Sequence, residues 1–281
     1  MSVHVLFLLI AILMGVGIIY WFKSMWKAAV VSFCLTILVV PLLWQQQIES
    51  AIEQWGKLDF IKKEAQLRQV VSSFVDGKIK PFVLLDVPLI QQLPELPRGC
   101  EVTSLAMLLE DAGMQVDKVT LAKQVKKDPT LFQRRNGKVY FGNPHNGFVG
   151  DMYSLTTPGL GVYHEPIEEL AKQYLPHRIV NLTGSDFREL QKYLSNGSPI
   201  WIITNSTFRK LPKSTFHEWN TPSGPIKITY YEHSVVITGY DNDYIYFNDP
   251  LTGEKNKKAP KADFLDAWVQ MGRQAITYQS N

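Results

Sequence analysis

The chain has 281 residues, 46% of them hydrophobic, a net charge of +3 from 29 basic and 26 acidic side chains, and two cysteines. A fifth of the residues are charged and 12% are aromatic, which excludes a disordered chain, and the near balance of charge gives no footprint for nucleic acid. Two cysteines cannot build a disulfide framework, and no Cys/His spacing suits zinc, so neither a metal nor a cofactor is expected.

The apolar residues are unevenly spread. Val3 to Phe22 reads VHVLFLLIAILMGVGIIYWF, and Ala28 to Trp44 reads AAVVSFCLTILVVPLLW with no charge. A helix of twenty residues spans about 30 Å, roughly the hydrocarbon of a bilayer. Residues 1–44 are therefore expected to be a membrane anchor of two transmembrane helices, with Tyr20, Trp21, Trp26 and Trp44 at the run ends as interfacial anchors. No basic n-region precedes the first run and no small-x-small site follows it, which disfavours a cleaved signal peptide. Lys23 and Lys27 crowd the short connection, so the positive-inside rule places that loop in the cytoplasm and the chain beyond Trp44 outside the cell. The expected location is the cell membrane, with an extracellular domain.

Residues 45–81 carry Ile48, Ile52, Trp55, Leu58, Ile61 and Leu67 at spacings that mark an amphipathic linker helix. Residues 82–281 read as one α+β domain. Cys100 to Ala112 is predicted helical and stops at Gly113; Thr120 to Lys127 and Pro166 to Tyr174 are shorter helices, and Ser185-Asp186 caps another that ends at Asn196-Gly197. Pro199 to Thr204 reads as a buried strand, and Ile226 to Tyr231, Ser234 to Tyr240 and Tyr244 to Asn248 continue an antiparallel sheet. Pro260 to Met271 is a late helix and Gln274 to Tyr278 a final strand. Helices first and strands afterwards is an α+β order.

Cys100 follows Gly99 and opens a helix, where unpaired amides and the helix dipole favour a thiolate. The turn-rich stretch before it, Leu93 to Gly99, is expected to lie open to solvent. Cys34, inside an apolar run, reads as a buried small hydrophobe. A hairpin turning at Asp241-Asn242-Asp243 gives paired residues whose numbers sum to between 482 and 484, which sets His233 opposite Asp249 or within two residues of it. For an even sum, alternation then puts His233, Val235, Ile237, Ile245, Phe247 and Asp249 on one face, with Asn248 on the other. An aspartate beside a histidine fixes its tautomer and stabilises the imidazolium, as in nucleophile–base–orienter systems. Gln91 and Gln92 precede the Cys100 loop and are candidates for an oxyanion donor. His145 has no partner pattern and reads as structural or solvated. Core packing suits Trp201, Phe208 and Trp219, and the Gly142 to Tyr153 segment reads either as a cleft wall or as a plain surface loop.

Together VPLIQQLPELPRGCEVTSLAMLL (Val87 to Leu109), GNPHNGFVGDMY (Gly142 to Tyr153), EHSVVITGYD (Glu232 to Asp241) and NDPLTG (Asn248 to Gly253) resemble the papain-like cysteine peptidases related to bacteriocin-processing endopeptidases, the C-thirty-nine-like group. The long first motif is most similar to membrane-anchored or secreted members from Gram-positive bacteria. The resemblance implies a papain-like fold, Cys100 as nucleophile, His233 as general base, Asp249 as orienting residue and Gln92 as oxyanion glutamine. Six residues before the cysteine, where the processing enzymes carry that glutamine, this chain has Pro94. It also lacks a G-x-x-x-x-G-K-[ST] phosphate loop, so leader processing coupled to an exporter does not carry over. The expectation is a membrane-anchored cysteine peptidase acting on a peptide or protein outside the cytoplasm. The alternatives are an inactive cell-surface binding or scaffold domain and a cell-wall peptide hydrolase or acyltransferase on the same fold.

Overall fold

The computed structural model describes residues 79–280, together with 7, 8 and 10–14, which are helical. Most of the expected anchor and nearly all of the expected linker lie outside the described residues. Among the described residues no helix is long and apolar enough to cross a membrane.

Five helices follow in chain order: α1 (Cys100–Asp111), α2 (Lys118–Gln124), α3 (His164–Tyr174), α4 (Phe187–Ser195) and α5 (Lys261–Gln270). The strands are β1 (Val83–Leu84), β2 (Lys127–Asp128), β3 (Gln133–Arg135), β4 (Lys138–Tyr140), β5 (Phe148–Val149), β6 (Ile179–Asn181), β7 (Ile200–Asn205), β8 (His217–Thr221), β9 (Gly224–Ile228), β10 (Glu232–Tyr240), β11 (Tyr244–Asp249), β12 (Glu254–Pro260) and β13 (Ala275–Tyr278). The main sheet runs β12-β11-β10-β7-β13-β6, all antiparallel, with β1 added beside β10. A second sheet runs β3-β4-β8-β9, and β2 pairs with β5.

Alternation along the central strands divides the core in two. Trp201 and Ile203 of β7, with Ile276 and Tyr278 of β13, pack against Leu105, Leu108 and Leu109 of α1 and Ile167 and Leu170 of α3. Ile200, Ile202, Val235, Ile237, Ile245 and Phe247 face the other way, toward Leu190 and Leu194 of α4 and Phe264 and Trp268 of α5. The sheet is therefore covered on both faces, and its inner strands β7 and β10 are buried almost throughout. Within the β10–β11 hairpin, Val236 pairs with Asn248 and Ile237 with Phe247, both pairs summing to 484 as the turn position predicts. Beside the turn, however, Gly239 pairs with Tyr246 and Tyr240 with Ile245, both summing to 485 and outside the expected range, and the bulge between Ile237 and Gly239 restores the even sum toward the end that carries His233.

The helix starts follow from local chemistry. Asp186 caps α4 by accepting the Glu189 amide at 3.0 Å, and Asp117 caps α2 by accepting the Val119 and Thr120 amides at 2.9 Å each. Helix α1 is different: its N-cap is Gly99, which offers no side chain, so its first-turn amides are not satisfied by a cap. A Cβ at that position would lie 2.5 Å from Leu96 Cβ, so the close approach of the loop requires glycine. Strands β1 to β6, β8 and β12 are not foreseen from the sequence: β1, β2 and β5 are two residues long and β6 three, while β3, β4, β8 and β12 are mostly polar and partly exposed and lack the alternation that marks a half-buried strand. The strand expected over Ile226 to Tyr231 is β9, which pairs with β8 in the second sheet and does not continue the main one.

Candidate active site

The N-terminus of α1 abuts the beginning of β10, and their side chains meet there. Cys100 is 7% exposed, and its Sγ donates to Glu101 Oε2 at 3.3 Å. Glu101 is buried; its Oε1 accepts the Val162 amide at 2.6 Å, and its backbone carbonyl accepts the Trp201 indole N–H at 2.9 Å. Glu232 brings a second carboxylate to the same point: ligand-type atoms of Cys100, Glu101 and Glu232 all lie within 4.8 Å of one another. Its Oε1 is buried and has no hydrogen-bond partner. A Cβ on Gly161 would fall 2.2 Å from Glu101 Oε1 and 2.8 Å from Glu232 Oε2, so the absence of a side chain there makes room for the pair.

The electrostatics follow from this crowding. Burial, and then the like charge of Glu101, push the Glu232 carboxyl well above its ordinary range, and burial lifts Glu101 to about 7. Burial, followed by the charges of Glu101 and Glu232, also pushes the Cys100 thiol well up, while the Ser234 backbone amide acts in the opposite direction. The sequence expectation of an open cysteine held as thiolate by a helix terminus is corrected here. A helix terminus contributes about 0.3–1 kcal/mol, and desolvation next to two carboxyl groups outweighs it. At rest the site holds a thiol.

The neighbouring residue on β10, His233, is 3% exposed, and its Nε2 lies 2.9 Å from Asp249 Oδ1. The same oxygen accepts the Leu251 amide at 3.0 Å, and Oδ2 accepts Lys257 Nζ at 2.8 Å. Burial works against the Asp249 charge, yet the hydrogen bonds and charges of His233 and Lys257 more than offset it and hold the carboxyl well below the usual range. The imidazole packs on Phe208, ring centroids 6.0 Å apart, and Phe208 also lies on Phe247 at 4.5 Å. The His–Asp pair expected from hairpin parity is thus formed. Asn248 turns to the other face, where its Nδ2 donates to the Val87 and Pro88 carbonyls, 3.1 Å each. No hydrogen bond joins Cys100 to His233 among the described residues: the thiol bonds Glu101, the imidazole bonds Asp249, and Nδ1 of His233 is not engaged.

Gln92 lies 2% exposed in the loop before α1, its backbone amide donating to the Pro250 carbonyl at 2.9 Å, which ties the loop to the residue after Asp249. Its side-chain Nε2 donates to the carbonyls of Leu96 at 3.3 Å and Pro97 at 3.1 Å, bracing the loop. An oxyanion role would require the amide to release one of them. Gln91 is exposed. The packing expectation holds for all three aromatics: Trp201 and Trp219 are buried in separate clusters, and Phe208 packs against another, on Phe247 and Phe264, while also lying against His233. His145 is half-exposed and pairs through Nδ1 with Glu165 Oε1 at 2.8 Å. With His164 it forms a second cluster of ligand-type atoms within 4.8 Å, already joined by hydrogen bonds.

Sequence reasoning passes over Glu101, Glu232 and Lys257. An acid in the first turn of a helix reads as a dipole partner, and Lys257 lies in a strand that the pattern does not predict. Only Glu232, directly before the candidate base, carries a readable signal.

A cysteine at the tip of a helix packed on an antiparallel sheet, with a buried His–Asp pair on the adjoining strands, defines a cysteine-peptidase-like α+β fold. Residues 84–276 match the Peptidase_C39 like family, and the chain belongs to it. The chain is 47% identical over 205 residues to the uncharacterized protein YvpB of Bacillus subtilis (strain 168), across 72% of this chain and 77% of that protein. It is also similar to a Bacillus anthracis protein of known crystal structure, described by its likeness to C39-like peptidases. There the TM-score is 0.67 and the identity 49%, covering 72% of this chain and 99% of the other.

Proposed function

We propose that the chain is a membrane-tethered cysteine peptidase that acts on peptide or protein substrates outside the cytoplasm. The observation that carries this reading is the buried His233–Asp249 pair, with Nδ1 unspent, one residue from the Ser234 amide that acts on the Cys100 thiol. In this reading His233 Nδ1 takes the thiol proton and the sulfur attacks the substrate carbonyl. Asp249 holds Nε2 protonated and stabilises the imidazolium, and Lys257 keeps Asp249 ionised. The uncapped first-turn amides of α1 face the oxyanion. The imidazolium then protonates the leaving amine, and water releases the acyl group from Cys100. The two apolar runs before residue 45, with lysines between them, support the tether and its orientation.

The test is covalent labelling of the full-length, detergent-solubilised chain carrying Cys34→Ser, with a peptidyl vinyl sulfone that needs both an attacking thiolate and a proton donor. Mass spectrometry should place the adduct on Cys100, and His233→Ala should slow its formation by about a hundredfold or more, the usual range for a general acid–base residue. Labelling of Cys100 at the same rate in both proteins would overturn the catalytic reading and leave a tethered binding domain.

A further inference from the structure

Resting on the peptidase reading for its chemistry, we propose that this domain selects an extended acidic polypeptide and seats one of its aromatic side chains in a pocket lined in part by Arg98, two residues before Cys100. The pocket has a volume of about 290 Å³ and is walled by Phe132, Phe141 and Tyr230, with Arg98, Thr157 and Gly159 around them. That is about twice the ~150 Å³ apolar cavity that takes up benzene, so a six-membered ring and its stem fit. Arg98 stands two residues before Cys100. Gly159, in the pocket wall, stands at most about 7 Å of backbone from Gly161, where a Cβ would meet both carboxylates at the thiol, so one short loop runs from the pocket to the reacting centre.

The walls are fixed. Phe132 meets Phe141 edge-to-face at 5.3 Å, Phe141 meets Trp219 at 5.4 Å, and the Trp219 indole donates to the Gly142 carbonyl at 3.1 Å. The Arg98 guanidinium is spent on the carbonyls of Asp151, Ser154 and Leu155, and the Thr157 hydroxyl on Asp151. Neither polar group therefore calls for a charged ligand inside the pocket, and an uncharged ring is the matching guest.

Two further observations identify what carries the ring. Phe132 leads directly into β3, which among the described residues pairs only with β4 and so presents one unpaired edge; Gln133, Arg134 and Arg135 are all exposed on it. An open strand edge continuing from a side-chain pocket suits an extended polypeptide, which adds a strand while its side chain fills the pocket. The same hairpin carries Arg134, Arg135 and Lys138, none with an ion-pair partner among the described residues. Unpaired positive charge around the pocket selects acidic flanks.

The experiment uses the full-length chain with Cys100→Ala, so that binding is scored without chemistry, and fluorescence anisotropy of labelled nonapeptides. Peptides with a central Phe and Glu flanks are expected to bind at least tenfold more tightly than those with a central Ala or with Lys flanks. Tyr230→Ala should cut the Phe advantage to threefold or less and leave the flank preference intact. The exposed pair R134E/R135E should reverse that preference. Equal binding of all peptides, a preference for Lys flanks, or tighter binding of glycan fragments than of the Phe/Glu peptide would overturn the proposal. Success here with failed vinyl sulfone labelling would mean a domain that binds without cleaving; the converse would mean a peptidase of other specificity.

Discussion

Replacing both carboxyl groups beside the nucleophile, E101Q/E232Q, tests the central electrostatic argument. Their oxygens lie within 4.8 Å of the sulfur. At an effective dielectric near 20, one unit charge at that distance opposes a thiolate by about 3 kcal/mol. The isosteric amides remove this repulsion, keep an acceptor for the Val162 amide and offer the sulfur a donor in place of an acceptor. Glu101, with a folded value of about 7, is almost wholly ionised by about pH 9, so alkylation of Cys100 by iodoacetamide, measured in the Cys34→Ser background, should accelerate about a hundredfold at pH 9 and only about twofold at pH 7. Stability supplies a second readout. A carboxyl raised in the folded state contributes stability fully below its unfolded value of about 4.3, and that contribution is lost as pH climbs through the folded value, about 7 for Glu101. The melting temperature of the variant should gain on the parent between pH 4 and pH 8. An alkylation rate that falls or stays constant would refute the reasoning and assign Glu101 the role of proton acceptor for Cys100.

Asp249 has the opposite sign. Its folded carboxyl is depressed, so its contribution is complete above the unfolded range near 4 and disappears as pH falls toward the folded value. Asp249→Asn should cost on the order of 2 kcal/mol at pH 6, through weakened bonds to His233 and Lys257, and progressively less below pH 4 in urea titrations. An equal cost at both pH values would count against ionised Asp249 as the stabilising species. Gly161→Ala drives a methyl into Glu101 Oε1 and should destabilise the domain by about 1–3 kcal/mol while slowing vinyl sulfone labelling. Unchanged melting would show that the carboxyl pair is free to move aside.

Legibility depends on the range of the interaction. The sequence alone determined that β10 and β11 form a hairpin, because two apolar β-rich runs flank a short polar turn, but the bulge between Ile237 and Gly239 is what gives the His233 end the even sum that sends His233 and Asp249 to one face. The sequence also determined α1 and the cysteine at its tip, since an apolar helical run that follows Gly99 and stops at Gly113 is a local signal. Tertiary structure decided the state of that cysteine. Glu101 and Glu232 are 131 positions apart and converge only because α1 begins where β10 begins, and burial there turns an expected thiolate into a thiol. It also decided the small sheet and β12, whose polar residues follow no periodicity, and with β12 the lysine that reaches Asp249. Backbone pattern is written in neighbouring residues; the charge on a buried side chain is set by groups that only folding brings together.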